Sequence, residues 1–476
     1  MDRPARQSHH HEGIVWEMIS RRVNRSKMHG SWQRGVVQVL GAILVIALAT
    51  SSGWAQEFLS RPEIPGYPTP STTYPRPRSL ALEYLDAAAL VAALTLATWF
   101  ALALRWRRGL FVLTIASLLW FGFWRRGCVC SIGAIQNVSQ ALADQSYVLP
   151  WTVVVFFALP LFFTLFFGRT FCAAVCPLGA VQELATLRPV KVPRSLEHAL
   201  GLIPFVYLGL AVVLAALGGG YVICEYDPYV GFFRRSGNAN MIVFGLCLLV
   251  VGVFVGRPYC RFLCPLGALF RLCSRVSRWH VRIPPEECIR CRLCEEVCPY
   301  DAIRAPTVEQ GAAQRRRAKR RLVVALVALP AWIALGLWAG GRLHVPLARM
   351  HPDFRLAEQL RWEETGQTRT TTEASEAFRN SGRSPQALYA HAERLRRRFG
   401  IGGRLLGAWV GLVVGLKLVG LCIRRRRDEY QPDRAACVSC GRCFWYCPGE
   451  QVRLGLITVE QFDAHRSKAA SAAEGG

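Results

Sequence analysis

Two cysteine runs carry the plainest chemistry in this sequence. Cys288, Cys291, Cys294 and Cys298 are separated by two, two and three residues, and Pro299 follows. Cys437, Cys440, Cys443 and Cys447 repeat that spacing, and Pro448 follows. A cubane [4Fe–4S] cluster takes one thiolate at each iron, and closely spaced cysteines on a tight loop can wrap three of its corners. The fourth thiolate must come from farther away. The terminal proline turns the chain aside, since it has no N–H to continue a helix. A single run of this kind could hold zinc. Two complete runs, both ending in proline, point to iron–sulfur chemistry.

In two-cluster bacterial ferredoxins the fourth cysteine of each run ligates the other cluster. The expected ligand sets are Cys288, Cys291 and Cys294 with Cys447, and Cys437, Cys440 and Cys443 with Cys298. Two further motifs form an internal repeat. One is Gly168-Arg169-Thr170-Phe171-Cys172, then Cys176-Pro177-Leu178-Gly179-Ala180. The other is Gly256-Arg257-Pro258-Tyr259-Cys260, then Cys264-Pro265-Leu266-Gly267-Ala268. Cysteines four apart share one face of a helix. Two such pairs together offer enough thiolates for a third cluster or another metal. A simple chain turn would use the Pro and Gly but would not need cysteine. A degenerate third copy runs from Cys128 and Cys130 through Gly133 to Gln136, matching Cys176 through Gly179 to Gln182. With Cys224, these residues suit either a metal or a disulfide. Cys247, Cys273 and Cys422 stand alone and read as buried packing residues.

The elements that must position these motifs are membrane helices. Of 476 residues, 52% are hydrophobic and only 19% charged. The formal net charge of +26 could suggest nucleic acid, but the arginines cluster at the ends of apolar stretches. That pattern is membrane topology, so no nucleic-acid partner is expected. Residues 1–55 form an N-terminal extension that ends in a signal-like segment, with a basic start, a short apolar core over 36–49 and a small-residue exit; an uncleaved first helix is the alternative reading. Residues 56–83 are Pro-rich and read as extracytoplasmic. Apolar segments follow near 84–104, 109–124, 147–167, 199–217, 240–256, 322–341 and 405–423, about seven spans. Residues 84–287 hold membrane helices and the CxxxCP motifs, and 288–305 the first ferredoxin run. A basic linker and span cover 306–341, and an extracytoplasmic loop covers 342–404. Within that loop, 374–378 and 387–395 have helical spacing and predict a small cap. The last span is 405–423, and 424–476 holds the second run and a tail. The segments placed inside carry 38 Lys and Arg; the short outside segments carry 7. This asymmetry puts both ferredoxin runs and the C-terminus in the cytoplasm, at the inner membrane. The fold class expected is mainly α: a polytopic transmembrane bundle carrying a split, bacterial-type 2[4Fe–4S] ferredoxin domain.

On these motifs the chain resembles the NosR/NapH family of membrane polyferredoxins, over roughly residues 85–450. The resemblance implies an electron conduit between a quinone pool or cytoplasmic donor and an extracytoplasmic reductase system. The NosR branch is associated with nitrous oxide reductase and the NapH branch with periplasmic nitrate reductase, so a link to denitrification is implied. NosR proteins usually carry a large extracytoplasmic flavin-binding domain ahead of the spans. Here 56–80 occupies that place and no Ser-Gly-Ala-Thr flavinylation stretch is present, so no flavin is expected in this chain.

The expected partners are lipid, redox proteins and, for a chain that itself oxidises quinol, a quinol. Proton acceptors for that role would be Glu183 and His198 inside, or Glu225 and Asp227 outside, although solvated surface positions explain all four. No general base, nucleophile, phosphate loop or dinucleotide fingerprint is visible. The alternative role is a redox-sensing or copper-site assembly factor.

Overall fold

The computed structural model describes residues 79–474, apart from 128–129, 235–238, 284–287, 308–310, 369 and 424. The signal-like segment, nearly all of the Pro-rich stretch and Cys128 lie outside the described residues. The described residues are mainly helical, at 71%. Among the described residues, four helices are long and apolar enough to cross a membrane: Leu80–Ala103, Arg194–Ala216, Ala312–Arg342 and Pro385–Cys422. Two shorter apolar helices, Trp151–Phe167 and Ala239–Phe254, each lead directly into a CxxxCP motif. The second apolar segment folds as Arg107–Ser117 and continues through the π-helical turns Leu118–Trp124.

The Ala312–Arg342 and Pro385–Cys422 helices lie backbone against backbone. Gly336 and Gly340 on one face Gly403, Gly407 and Gly411 on the other. Small residues allow this approach, which is how helices associate where no hydrophobic effect separates protein from lipid. Many large apolar side chains of Ala312–Arg342 point outward, among them Val324, Val327, Leu335 and Trp338, as a lipid-facing helix requires.

Two features go beyond the sequence reading. First, the apolar segment 405–423 lies in a longer helix, of 38 residues, which runs from Pro385 to Cys422 and takes in the 387–395 stretch. Gly400, Gly402 and Gly403 should weaken a helix there by about 1 kcal/mol each. Tertiary contact overrides that cost, because Gly402 packs on Val213 and Leu217 while Gly403 packs on Gly340. The other expected cap stretch, 374–378, lies in the helix Glu373–Asn380, which Thr372 and Ser375 close with a capping box. Second, Asp227 is not on a solvated outer surface. Residues 222–234 fold back as two short helices, Val222–Glu225 and Val230–Arg234. Pro228 rests on Gly245, well inside the Ala239–Phe254 helix, where a Cβ would stand 2.6 Å from the Pro228 carbonyl oxygen. Asp227 is buried, accepts from the Tyr229 N–H at 2.8 Å, and meets the Tyr259 hydroxyl at 3.5 Å. Irregular backbone at this depth is tolerated because protein surrounds it.

The segments bearing cysteine runs gather at one end of the bundle. Ile303–Arg304, just after the first run, pairs antiparallel with Gln431–Pro432, just before the second, with Ile303 opposite Pro432. Arg105, in the turn between the first two apolar segments, pairs with buried Glu450 at 3.1 Å and lies over the Phe444 ring. Ser274 donates to the Arg434 carbonyl at 2.6 Å, which ties the helix after the second CxxxCP motif to the second run.

The glycine seam makes a prediction. A Cβ at Gly407 would collide with the Gly336 carbonyl. Gly407→Val should splay the two helices and cost about 1–3 kcal/mol, seen as a lower thermal midpoint in detergent. The same change at Gly420, where no neighbour lies within 4 Å, should leave the midpoint in place.

Candidate iron–sulfur site

Both ferredoxin loops are built on the same backbone device. Arg290 and Arg292 have φ of 55° and 64°, and the matching positions Ser439 and Gly441 have φ of 55° and 77°. Each loop therefore bends left-handed two residues after its first cysteine and again one residue after its second. For the non-glycine residues this costs about 1–3 kcal/mol apiece. The bends curl each loop around its own cysteines. Ser439 N–H points at the Cys437 sulfur at 3.4 Å, and Ala302 N–H at the Cys298 sulfur at 3.4 Å.

The structure brings the cysteines together across the two runs. One cavity is lined by Cys288, Cys291, Cys294 and Cys447, with Ile283, Tyr430 and Pro448 among its walls. Burial, then the neighbouring Cys291, Cys288 and Cys447, push the Cys294 thiol up to about 12. On the other side Cys298, Cys437 and Cys440 pack around Tyr300, Ala302 and Val438. Burial, then Cys437, Cys440 and Cys298, push the Cys443 thiol well up. Among the described residues no three His, Cys, Asp or Glu side chains converge as a tetrahedral ion such as zinc would require. A cube with one thiolate per iron spreads its ligands more widely, and crowded buried thiols of this kind need a cationic core before they ionise. The residues fit such a group.

The CxxxCP motifs meet beside the second of these sets. Cys176 and Cys264 sit at the N-caps of the helices Pro177–Ala185 and Pro265–Arg275. The Gly267 N–H points at the Cys264 sulfur at 3.4 Å. Helix N-termini favour negative charge, which suits a thiolate. Burial, then Cys260 and Cys172, push the Cys176 thiol well up; burial, then Cys260 and Cys176, do the same to Cys264. All four cysteines therefore lie together, Cys176 and Cys264 buried and Cys172 and Cys260 half-buried. Gln182, fully buried, donates to the Cys260 sulfur at 3.3 Å and accepts from the Tyr259 N–H at 3.0 Å. Arg169 reaches the Cys172 sulfur at 3.8 Å and the Ala435 carbonyl at 3.3 Å.

Glu183 joins all of this, and it is not the solvated side chain its position near a chain turn suggests. Its carboxylate pairs with Arg257 of the second CxxxCP motif at 3.2 Å and with Arg442 of the second ferredoxin run at 2.6 Å. The Tyr300 hydroxyl, from the first run, donates to it at 2.6 Å. Burial alone would raise its pKa, but Arg257, Arg442 and Tyr300 hold it down at about 2. Arg257 also donates to the carbonyls of Cys172 and Ala173. Composition could not reveal this role, because nothing marks a single Glu as the meeting point of four motifs. The available signal was the pair of Gly-Arg dipeptides in the repeat.

Of the remaining sequence-predicted residues, Cys130 and Cys224 approach one another over Gly133. Cys128 lies outside the described residues. His198 is half-buried at the edge of a basic crevice, and Glu225 is exposed.

Comparison with known proteins agrees with this geometry. One 4Fe-4S binding domain family matches twice, at residues 149–195 and 238–284, and so covers both CxxxCP motifs. A second 4Fe-4S binding domain family matches residues 281–304, the first ferredoxin run. Protein NirI of Paracoccus denitrificans is 35% identical over 154 residues, 29% of this chain and 22% of that protein. The putative electron transport protein YccM of Escherichia coli is 30% identical over 153 residues, 29% of this chain and 43% of its own length. The regulatory protein NosR of Pseudomonas aeruginosa is 29% identical over 223 residues, 42% of this chain and 30% of its own length. The matched region thus spans less than half of each of these three relatives. No solved structure matches. The chain thus carries 4Fe-4S binding domains together with helices long and apolar enough to cross a membrane. Its likeness to NosR and NirI, together with the 4Fe-4S binding domain matches, makes it similar to the NosR/NapH type of membrane polyferredoxin.

Removing the Glu183 charge tests the junction. Glu183→Gln leaves buried Arg257 and partly buried Arg442 without a counter-charge, which should cost about 3–5 kcal/mol. Tyr300→Phe removes one hydrogen bond to a charged acceptor and should cost less, about 1.5–3 kcal/mol. Chemical denaturation in detergent, read by tryptophan fluorescence, should rank the two variants in that order.

Proposed function

We propose that this chain is a membrane electron-transfer subunit holding two [4Fe–4S] clusters in a split ferredoxin unit on the cytoplasmic side of the inner membrane. It passes electrons between a quinone pool or cytoplasmic donor and an extracytoplasmic reductase system of the denitrification type. The observation that carries this reading is the cavity lined by Cys288, Cys291, Cys294 and Cys447, because its ligands come from both runs. Cys437, Cys440, Cys443 and Cys298 form the second set, and the four CxxxCP cysteines are the place for a third cluster or another metal. When bound, such clusters supply one-electron redox centres.

The rest is the work of the chain's own residues. Thiolates of the two sets hold the irons. N–H groups of Ser439 and Ala302 and the Gln182 amide donate to sulfur and so favour the more negative, reduced state. Arg169 and Arg257, both buried, set positive charge against the CxxxCP thiols. The charge asymmetry of the segments supports about seven spans with the runs inside. A quinol would need a proton acceptor, and buried Asp227 beside Tyr259 is better placed for it than exposed Glu225. The second reading, a redox-sensing or copper-site assembly factor, draws on the relative named as regulatory protein NosR.

Iron and acid-labile sulfide per chain, with EPR of the dithionite-reduced protein, test the proposal. About eight irons correspond to two clusters and about twelve to a third at the CxxxCP cysteines. Zinc in place of iron would overturn the electron-transfer reading. Cys288→Ser and Cys447→Ser, despite their distance in sequence, should alter one and the same EPR signal. Cys437→Ser and Cys298→Ser should alter the other, and effects sorted by run instead would reject the crossed ligand sets.

A further inference from the structure

We infer that Cys130 and Cys224 form an additional metal site, a thiolate pair for a soft ion that binds through two sulfurs, such as copper(I), built by a degenerate copy of the CxxxCP motif. It goes beyond the proposed electron-transfer role and stands on different residues.

The argument is a recurrence of geometry. In the CxxxCP site Cys176 precedes Gly179 by three residues and Gln182 by six, and the Gln182 carbonyl oxygen holds the N–H of Tyr259, the residue before Cys260. Cys130 precedes Gly133 and Gln136 by the same intervals, and the Gln136 carbonyl oxygen holds the N–H of Ile223 at 3.1 Å, the residue before Cys224. Both glutamines are fully buried. The Gly133 N–H points at the Cys130 sulfur at 3.1 Å, as Gly267 N–H does at Cys264. Thus Cys130 and Cys224 stand where Cys176 and Cys260 stand in the other site. Both sulfurs crowd Gly133: a Cβ there would lie 3.0 Å from the Cys224 sulfur and 3.2 Å from that of Cys130.

A second observation points to a ligand. In the CxxxCP site the Gln182 amide nitrogen donates to the Cys260 sulfur and to the Leu178 carbonyl. Its counterpart, Gln136 Nε2, is buried with no hydrogen-bond partner among the described residues. A buried amide donor held beside the Ile223–Cys224 peptide lacks an acceptor, and a metal-bound thiolate is a stronger acceptor than a thiol. Soft sulfur ligands select thiophilic metals over hard cations. The site is also joined to the CxxxCP cysteines: three residues beyond Cys224, buried Asp227 meets the Tyr259 hydroxyl, and Cys260 follows Tyr259.

The test compares wild-type protein, Cys224→Ser and Gly133→Ala, each the full chain purified anaerobically in detergent. Iron, copper and zinc are counted by mass spectrometry, and the reduced ferredoxin-type EPR signals are recorded. Gly133 has φ of −65°, so alanine fits its backbone and acts only by wedging the two sulfurs apart. Both variants should lose about one metal equivalent with the EPR signals unchanged. Equal metal content in all three proteins would overturn the site, as would recovery of a Cys130–Cys224 disulfide peptide from unreduced wild-type digests. Absence of the EPR signals from the wild type would instead refute the electron-transfer role and leave this comparison readable.

Discussion

The arrangement depends on one carboxylate placed among buried cations. Arg257 is almost wholly buried and Arg442 partly so, and each would be costly to keep from water without a counter-charge. Glu183 answers both, and its remaining acceptor capacity takes the Tyr300 hydroxyl. The four groups come from the first CxxxCP motif, the second, the first ferredoxin run and the second run. Moving any one of these motifs relative to the others breaks an ion pair or a hydrogen bond at Glu183. Gln182, the residue before Glu183, points elsewhere because successive helical positions are turned by about 100°. One short helix therefore presents an amide to Cys260 and a carboxylate to Arg257.

The thiols around this junction are themselves an electrostatic problem. Burial and mutual repulsion drive them towards the protonated form, as at Cys437, pushed up to about 12 with Cys440 and Cys298 beside it. The chain answers with nearby arginines, helix N-termini and backbone N–H groups aimed at sulfur. It also accepts left-handed backbone at Arg290, Arg292 and Ser439 to wrap each loop. Such strain persists where bound ligand and packing over-determine the conformation. That the same two positions bend in both loops, in otherwise different sequences, ties the strain to a shared task.

Splitting the two runs across a long insertion is less demanding than it looks. Loop-closure entropy rises slowly with length, about 0.6 kcal/mol per doubling. Two long helices joined along a glycine seam leave the end of the bundle that carries the runs and return to it. The short strands Ile303–Arg304 and Gln431–Pro432 then close the unit by pairing on either side of that excursion.

Much of this was legible in the order of residues. Cysteine spacing carries the cluster chemistry because ligand geometry is local, and apolar length carries the membrane helices because bilayer thickness is fixed. The similarity of Cys130–Gln136 to Cys176–Gln182 was legible too, as a repeat. What spacing could not express was which buried groups face one another. The meeting of Glu183 with Arg257, Arg442 and Tyr300 joins residues up to 259 positions apart. The inward fold of Asp227 depends on a glycine in a different helix. The unbroken helix from Pro385 runs through glycines that local propensity counts against it. In each case a long-range contact outweighed a local preference, and such contacts exist only once the chain has folded.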